Sequence, residues 1–328
     1  MKDNNHENDQ HDPSNNEEPK KPSKKEENLD SFLEHIHSLQ GKFTSPPLLK
    51  VQPVSTWLEE AKQRPIPKRL FSEFWLEGEL CMLFADTNVG KSILAVQLAQ
   101  SISSGEAING FALEATPQRV LYVDFELSDK QLEARYSAEF KDHYEFSGDF
   151  LRAELEAEVE LGEEEGRFEQ QLYQSLEEAL ERHQVQVLII DNITYLRSET
   201  ERARHALPLM KQLKSWQRKY GLSILTLAHT PKRDLSSPLT RNDLQGSKML
   251  INFCDSAFTI GESQQASRVR YLKQIKARST EVKYHSEYVC VCEVKKAWNY
   301  LCFEWLRQGA EAEHLRREQE ASASSRLE

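Results

Sequence analysis

The chain has 328 residues, with 42 Lys and Arg against 53 Asp and Glu, a net charge of −11 and 38% hydrophobic residues. That length carries one large α/β domain with tails, and a charged fraction of 29% dilutes its core with solvated segments. No apolar run approaches the ~20 residues of a membrane helix, the N-terminus lacks the apolar stretch of a secretory signal, and the five Cys show no paired spacing, so a cytoplasmic protein away from membranes is expected.

The overall charge hides an asymmetry. Residues 1–34 hold ten acidic and five basic side chains, whereas residues 201–300 hold 18 Lys and Arg against eight Asp and Glu. An acidic chain can still present a basic face, so nucleic acid is not excluded as a partner.

In chain order, residues 1–40 are polar and aperiodic, the composition of a disordered tail, with a short helical pattern in SFLEHIHSLQ at 31–40. Residues 41–78 scatter Trp57, Phe71, Phe74 and Trp75 among Pro47, Pro53, Pro65 and Pro67, which predicts an irregular lead-in packed on a domain at 79–306. The apolar runs of that domain are LCMLFA (80–85), VLYVDFE (120–126), FLRAEL (150–155), VQVLIIDN (185–192), LSILTLAH (222–229), SAFTIG (256–261) and VRYLKQIKAR (269–278). Helical patterns fill 91–104, 128–140, 166–183 and 202–220; in the third, Phe168, Leu172, Leu176 and Leu180 form one stripe. Aliphatic strands alternating with helices predict an α/β fold with a mainly parallel sheet covered on both faces. The runs 287–294 and 299–306 predict an antiparallel extension, within which Cys290 and Cys292 read as strand residues because C-x-C lacks the usual zinc spacing. Residues 307–328 read as a polar C-terminal tail.

The strand LCMLFA, the turn DTNVG and the helix KSILAVQLAQSI form the strand–turn–helix context of a phosphate-binding loop, Ala85, Asp86, Thr87, Asn88, Val89, Gly90, Lys91 and Ser92. Backbone N–H groups at the turn and the helix start would face the phosphates of ATP. Lys91 would reach the β- and γ-phosphates and Ser92 would hold Mg²⁺. Ala85 stands where the usual G-x-x-x-x-G-K-[ST] pattern opens with Gly; at a strand exit negative φ is often enough. Asn88 suits a left-handed turn position. Gly90 avoids a side chain beside the phosphate.

Hydrolysis needs a metal anchor and a group that orients water. Asp191 ends the aliphatic run VQVLIID and suits the first role, with Asn192 beside it. Asp124 and Glu126, two residues apart, are expected on one side of the sheet. Glu126 is nearer the ligand-binding edge and is expected to polarise the water. His229 ends another strand and is placed to contact the γ-phosphate.

This order of motifs resembles the RecA-like ATPase core of the RepA/DnaB type of hexameric helicases, especially the small stand-alone RepA ATPases of plasmids and mobile elements, from about residue 70 to 300. The resemblance implies a RecA-like P-loop NTPase forming a homo-oligomeric ring, usually of six subunits, with ATP at the interfaces. Lys276-Ala277-Arg278 looks like that family's K-x-R finger, which enters the neighbouring subunit's site. A cation supplied there would stabilise charge on the γ-phosphoryl oxygens. In RecA-like rings two loops face the central channel. Here they carry Arg197, Arg202 and Arg204, and then Lys232, Arg233, Arg241 and Lys248, suited to the phosphates of single-stranded DNA. The expected function is an ATP-driven helicase or translocase in plasmid or mobile-element replication. The alternatives are an ATP-regulated DNA-binding or assembly factor that does not unwind, and a regulatory ATPase whose basic loops meet an acidic protein.

Overall fold

The computed structural model describes residues 49–156, 167–193, 203–231, 233–244 and 248–316. The chain divides into two compact units, Met1–Pro65 and Ile66–Glu328. In the first, Pro53 precedes helix α1 (Val54–Lys62). The Lys50 ammonium pairs with Glu60 at 3.0 Å and lies over the Trp57 ring.

The second unit opens with short strands β1 (Arg69–Phe71) and β2 (Trp75–Leu76). Leu70, Phe71, Phe74 and Trp75 are all buried there. This part of the lead-in is therefore core rather than a covering layer. Phe71 and Phe74 each pack against Phe111 and Phe258, distant in sequence, which local periodicity does not reveal.

The apolar runs become β3 (Leu80–Ala85), β4 (Val120–Asp124), β7 (Phe150–Ala153), β8 (Val187–Asp191), β9 (Ser223–His229), β10 (Ser256–Glu262), β11 (Val269–Lys276), β12 (Val289–Ala297) and β13 (Tyr300–Gly309). Two further short strands, β5 (Ser137–Ala138) and β6 (Asp142–His143), pair apart from them. The helices are α2 (Lys91–Ser104), α3 (Asp129–Arg135), α4 (Arg167–Arg182), α5 (Ala203–Tyr220) and α6 (Lys248–Phe253). The nine-stranded sheet runs β13-β12-β11-β10-β3-β9-β8-β4-β7. From β10 to β7 the pairings are parallel; from β10 to β13 they are antiparallel. The expected parallel core with a C-terminal antiparallel extension is present.

Strand alternation divides the interior into two layers. Cys81, Leu83 and Ala85 of β3 face a core shared with Leu94, Leu98 and Ile102 of α2. Leu80, Met82 and Phe84 face the other core, where Leu172, Leu176 and Leu180 of α4 meet Leu209, Leu213 and Trp216 of α5. Cys290 and Cys292 are free, buried strand residues, and burial raises both thiols well above their ordinary range.

The C-terminal hairpin also serves the phosphate loop. The buried Gln97 amide of α2 donates to the Phe303 carbonyl at 2.9 Å and accepts from its N–H at 2.8 Å. The expected tail at 307–328 begins later than the sequence suggests. Strand β13 continues to Gly309, and a 3-10 turn follows at Glu311–His314. Glu311 is 1% exposed and pairs with Lys273 at 2.5 Å. A buried carboxylate needs such a partner, and a composition reading assigns Glu to solvent. No helix among the described residues is long and apolar enough to cross a membrane.

Candidate functional site

Strands β3, β9, β8 and β4 are parallel neighbours ending at Ala85, His229, Asp191 and Asp124. Their carboxyl ends lie side by side, at the edge where open α/β sheets bind ligands. The sequence separates these residues by up to about 150 positions; the strand order brings them together.

Ala85 is fully buried and in register with His229 and Ile260, an ordinary strand-end position that a methyl group fits. Asn88 has φ 64° and Gly90 has φ 107°. Asn is among the few non-Gly residues enriched in left-handed backbone, as the sequence expects at 88. At Gly90 an added Cβ would meet the Phe303 ring at 3.0 Å, a constraint beyond the phosphate argument. The Lys91 ammonium donates to the carbonyls of Ala85 at 3.0 Å and Asp86 at 2.9 Å, and lies 3.1 Å from His229 Nδ1. Burial lowers its pKa, while Asp191, Glu126 and Asp86 act the other way.

The Asp86 side chain accepts from the Thr230 hydroxyl and from Arg233 Nε at 3.1 Å. The Arg233 side chain is 7% exposed. It clamps the phosphate loop here and is not the freely exposed loop cation that its sequence neighbourhood suggests.

Asp191 accepts from the Tyr122 hydroxyl at 2.6 Å through Oδ2. Its Oδ1 is buried with no hydrogen-bond partner among the described residues. Burial pushes its carboxyl up to about 6; the Ser92 and Tyr122 hydroxyls hold it down, and the charges of Glu126 and Asp124 raise it. An orphaned carboxylate oxygen beside the Ser92 hydroxyl fits a hard cation such as Mg²⁺. Among the described residues no cluster of three or more His, Cys, Asp or Glu could hold a metal unaided, so phosphate oxygens and water would complete the coordination.

Strand β4 stops at Asp124, so the i, i+2 facing argument does not reach Glu126. Asp124 Oδ1 instead accepts from the N–H groups of Glu126 at 3.1 Å and Leu127 at 2.9 Å, while Oδ2 takes Arg152 Nε at 3.1 Å. Asp124 therefore shapes the bend that presents Glu126. Glu126 Oε1 accepts from Asn192 Nδ2 and lies 3.2 Å from His229 Nε2. The bond to His229 is the main cause that lowers its pKa, with Asn192 and Lys91 in the same sense and burial opposing. An ionised carboxylate, an amide and an imidazole thus converge beside Lys91.

Glu126, His229 and Lys91 line a cavity of about 160 Å³, with Thr87, Asn88, Gly90, Ser92 and, unexpectedly, Arg135. Tyr122, Thr230 and Arg135 escape the sequence reading. Each acts through a contact distant in sequence, and none sits in a motif.

Lys276 and Arg278 are elsewhere. Ala257 pairs with Lys276 on one side and Met82 on the other, so Lys276 lies level with the middle of β3. Arg278 pairs with Asp255 at 3.3 Å, and the Asp255 N–H donates to Leu80 O. By strand rise this is roughly 16 Å below the Ala85 exit. Lys276 donates to the carbonyls of Ile251 and Asn252 at the end of α6, and Arg278 to that of Asn252. Of the expected DNA-contacting cations, Arg241 is exposed on a 3-10 turn. Arg197, Arg202 and Lys232 lie outside the described residues, as do the side chains of Arg204 and Lys248.

No curated protein matches the sequence. Among solved structures, a KaiC-like protein from the hyperthermophilic archaeon Pyrococcus horikoshii OT3 is similar at 15% identity and a TM-score of 0.47, over 70% of this chain and 90% of that one. The model of the family described as AAA domain matches residues 44–234. This stretch is more than half of the chain and holds the phosphate loop, Glu126, Asp191 and His229. The chain belongs to this AAA-domain family.

Proposed function

We propose that the protein is an ATP-hydrolysing, RecA-like motor that works as a ring of identical copies, expected to be six, on single-stranded DNA. The carrying observation is the division of its chemistry between two edges of one sheet. Groups suited to hold a triphosphate and orient water meet at the carboxyl edge, whereas Lys276 lies level with the middle of β3 and Arg278 near the amino end of the strands. Arg278 is 53% exposed beside an open pocket of about 910 Å³ that Lys211, Lys214 and Arg218 also line. Such a face suits the phosphates held by a neighbouring copy. The 160 Å³ cavity is lined by phosphate-loop residues, and in a ring a neighbouring copy would cover the base and ribose.

Lys91 exchanges its carbonyl partners for phosphate oxygens. Glu126, ionised, accepts a hydrogen from the attacking water and aligns it. Asn192 and His229 hold Glu126 in place, and His229 also touches Lys91, so loss of the γ-phosphate is felt at the base. Ser92 and Asp191 would hold Mg²⁺, which when bound neutralises charge on the β- and γ-oxygens. Arg278 of a neighbouring copy meets the charge that develops at the γ-phosphoryl group.

The DNA part rests on motif order and on the basic balance of residues 201–300. Hydrolysis measured with and without single-stranded DNA, together with strand displacement, tests it. Stimulated hydrolysis with unwinding supports the motor, and no stimulation by DNA counts against it. One observation favours an ATP-regulated DNA-binding or assembly factor instead. Asp86 of the phosphate loop is tied to Thr230 and Arg233 of the following segment, a link that couples nucleotide to that segment without translocation. Stimulated hydrolysis without unwinding selects that reading.

A further inference from the structure

Arg135 is the last residue of α3. Ser128 and Gln131 cap the start of this helix in a reciprocal box. At its end, the Lys296 ammonium of β12 donates to Ala134 O at 2.7 Å and Ser137 O at 2.5 Å. The backbone on both sides of Arg135 is therefore fixed, and its side chain lines the phosphate cavity beside Asn88, Lys91, Ser92 and Glu126.

Its Nη1 is buried and finds no hydrogen-bond partner among the described residues. A buried donor without an acceptor costs about 1–3 kcal/mol, more when charged, and a guanidinium does not escape by losing its proton. The acid that lines the cavity, Glu126, is already engaged with Asn192 and His229. An anion with several acceptor oxygens answers this donor, and planar guanidinium groups match phosphate in two-pronged fashion.

We infer that Arg135 is a phosphate-binding residue of the nucleotide site, a second cation supplied by the same chain as Lys91. This rests on the ATP reading above and adds a residue that the loop motif does not contain. It also separates two cations by function: Lys91 is held by loop carbonyls before nucleotide arrives, whereas Arg135 gains its hydrogen bond only on binding. The chain thereby stores an unsatisfied donor that favours the loaded state.

The test compares the full chain with Arg135→Gln and Arg135→Lys. Affinities for Mg·ATP, ADP and adenosine are titrated, and melting is followed without nucleotide. The expected result is at least a tenfold loss of ATP affinity in Arg135→Gln, partial recovery in Arg135→Lys, unchanged adenosine binding, and a nucleotide-free melting temperature equal to or above that of the parent. ATP affinity within twofold of the parent overturns the inference, as does a drop in nucleotide-free melting that parallels the binding loss, which marks a structural role. If the parent chain binds no nucleotide, the ATP reading fails and takes this inference with it; if the parent binds and Arg135→Gln binds equally, the inference alone fails.

Discussion

The two edges of the parallel sheet are built on opposite principles. At the carboxyl edge, Lys91, Glu126, Asn192 and His229 hold one another within hydrogen-bonding range, with Asp191 bonded to Tyr122 at the end of the adjoining strand. Toward the amino edge, Arg278 and Lys214 pair with Asp255, with open space and further cations around them, and Lys276, level with the middle of β3, caps helix-end carbonyls. The first edge is a preorganised site that holds two buried polar atoms without a partner among the described residues, Asp191 Oδ1 and Arg135 Nη1. The second has an unmatched excess of positive charge pointing outward. In the proposed ring, a head-to-tail contact would set the second edge of one copy against the first edge of the next.

The sharpest way to break the comparison is Arg278→Ala. Loss of a finger supplied in trans costs about 10³-fold or more in turnover, with nucleotide affinity within a few-fold of the parent; hydrolysis kinetics against bound-nucleotide titration checks both. Glu126→Gln, at the other edge, should cost about 10³-fold in turnover through loss of the water-orienting carboxylate, while Mg·ATP still binds. Parent-like turnover in single-cycle measurements would remove Glu126 from the site.

Asp191→Asn probes the strain of the carboxyl edge. An acid raised by burial from 3.8 to about 6 is disfavoured in its ionised form when folded. Its contribution is therefore lost as pH rises through that interval, and above about pH 6 the nucleotide-free protein carries a cost of up to ~3 kcal/mol. Thermal melts at pH 8 should show Asp191→Asn more stable than the parent without nucleotide, yet without Mg²⁺-dependent nucleotide binding. At pH 4 the two melts should converge. Gly90→Ala meets both a φ of 107° and the Phe303 ring, and should destabilise by about 2 kcal/mol in denaturant titration. The smallest effect is expected from Arg241→Ala, which should lower the salt dependence of single-stranded DNA binding by about one phosphate contact.

The strands that carry the site were legible because each is a mostly apolar run that leads to a polar residue there: Ala85 before Asp86, Asp191, His229. Helix α2 was legible to the residue, since Lys91 opens it and Gly105 closes it in left-handed backbone. What sequence could not supply were contacts between distant segments. Arg233 reads as a channel cation until Asp86 is seen beside it. Phe303 gives no hint that its ring lies against Gly90. Arg135 follows Glu126 by nine residues with no motif around it, and only an unpartnered guanidinium in the cavity singles it out. Asp124 reads as a companion of Glu126 on one side of the sheet, and its two backbone bonds show it to be the residue that shapes the bend.

The central claim, that one chain's carboxyl edge is completed by another's amino edge, is tested most directly by mixing. Lys91→Ala removes the phosphate cation and keeps Arg278; Arg278→Ala keeps an intact phosphate loop. Each variant alone should hydrolyse no ATP above background, and an equimolar mixture should regain roughly a quarter of the parent rate, the share of interfaces that unite an intact loop with an intact finger when copies assemble at random. Co-assembly of the two variants with no recovery of hydrolysis, or parent-like turnover by Arg278→Ala alone, would contradict the account.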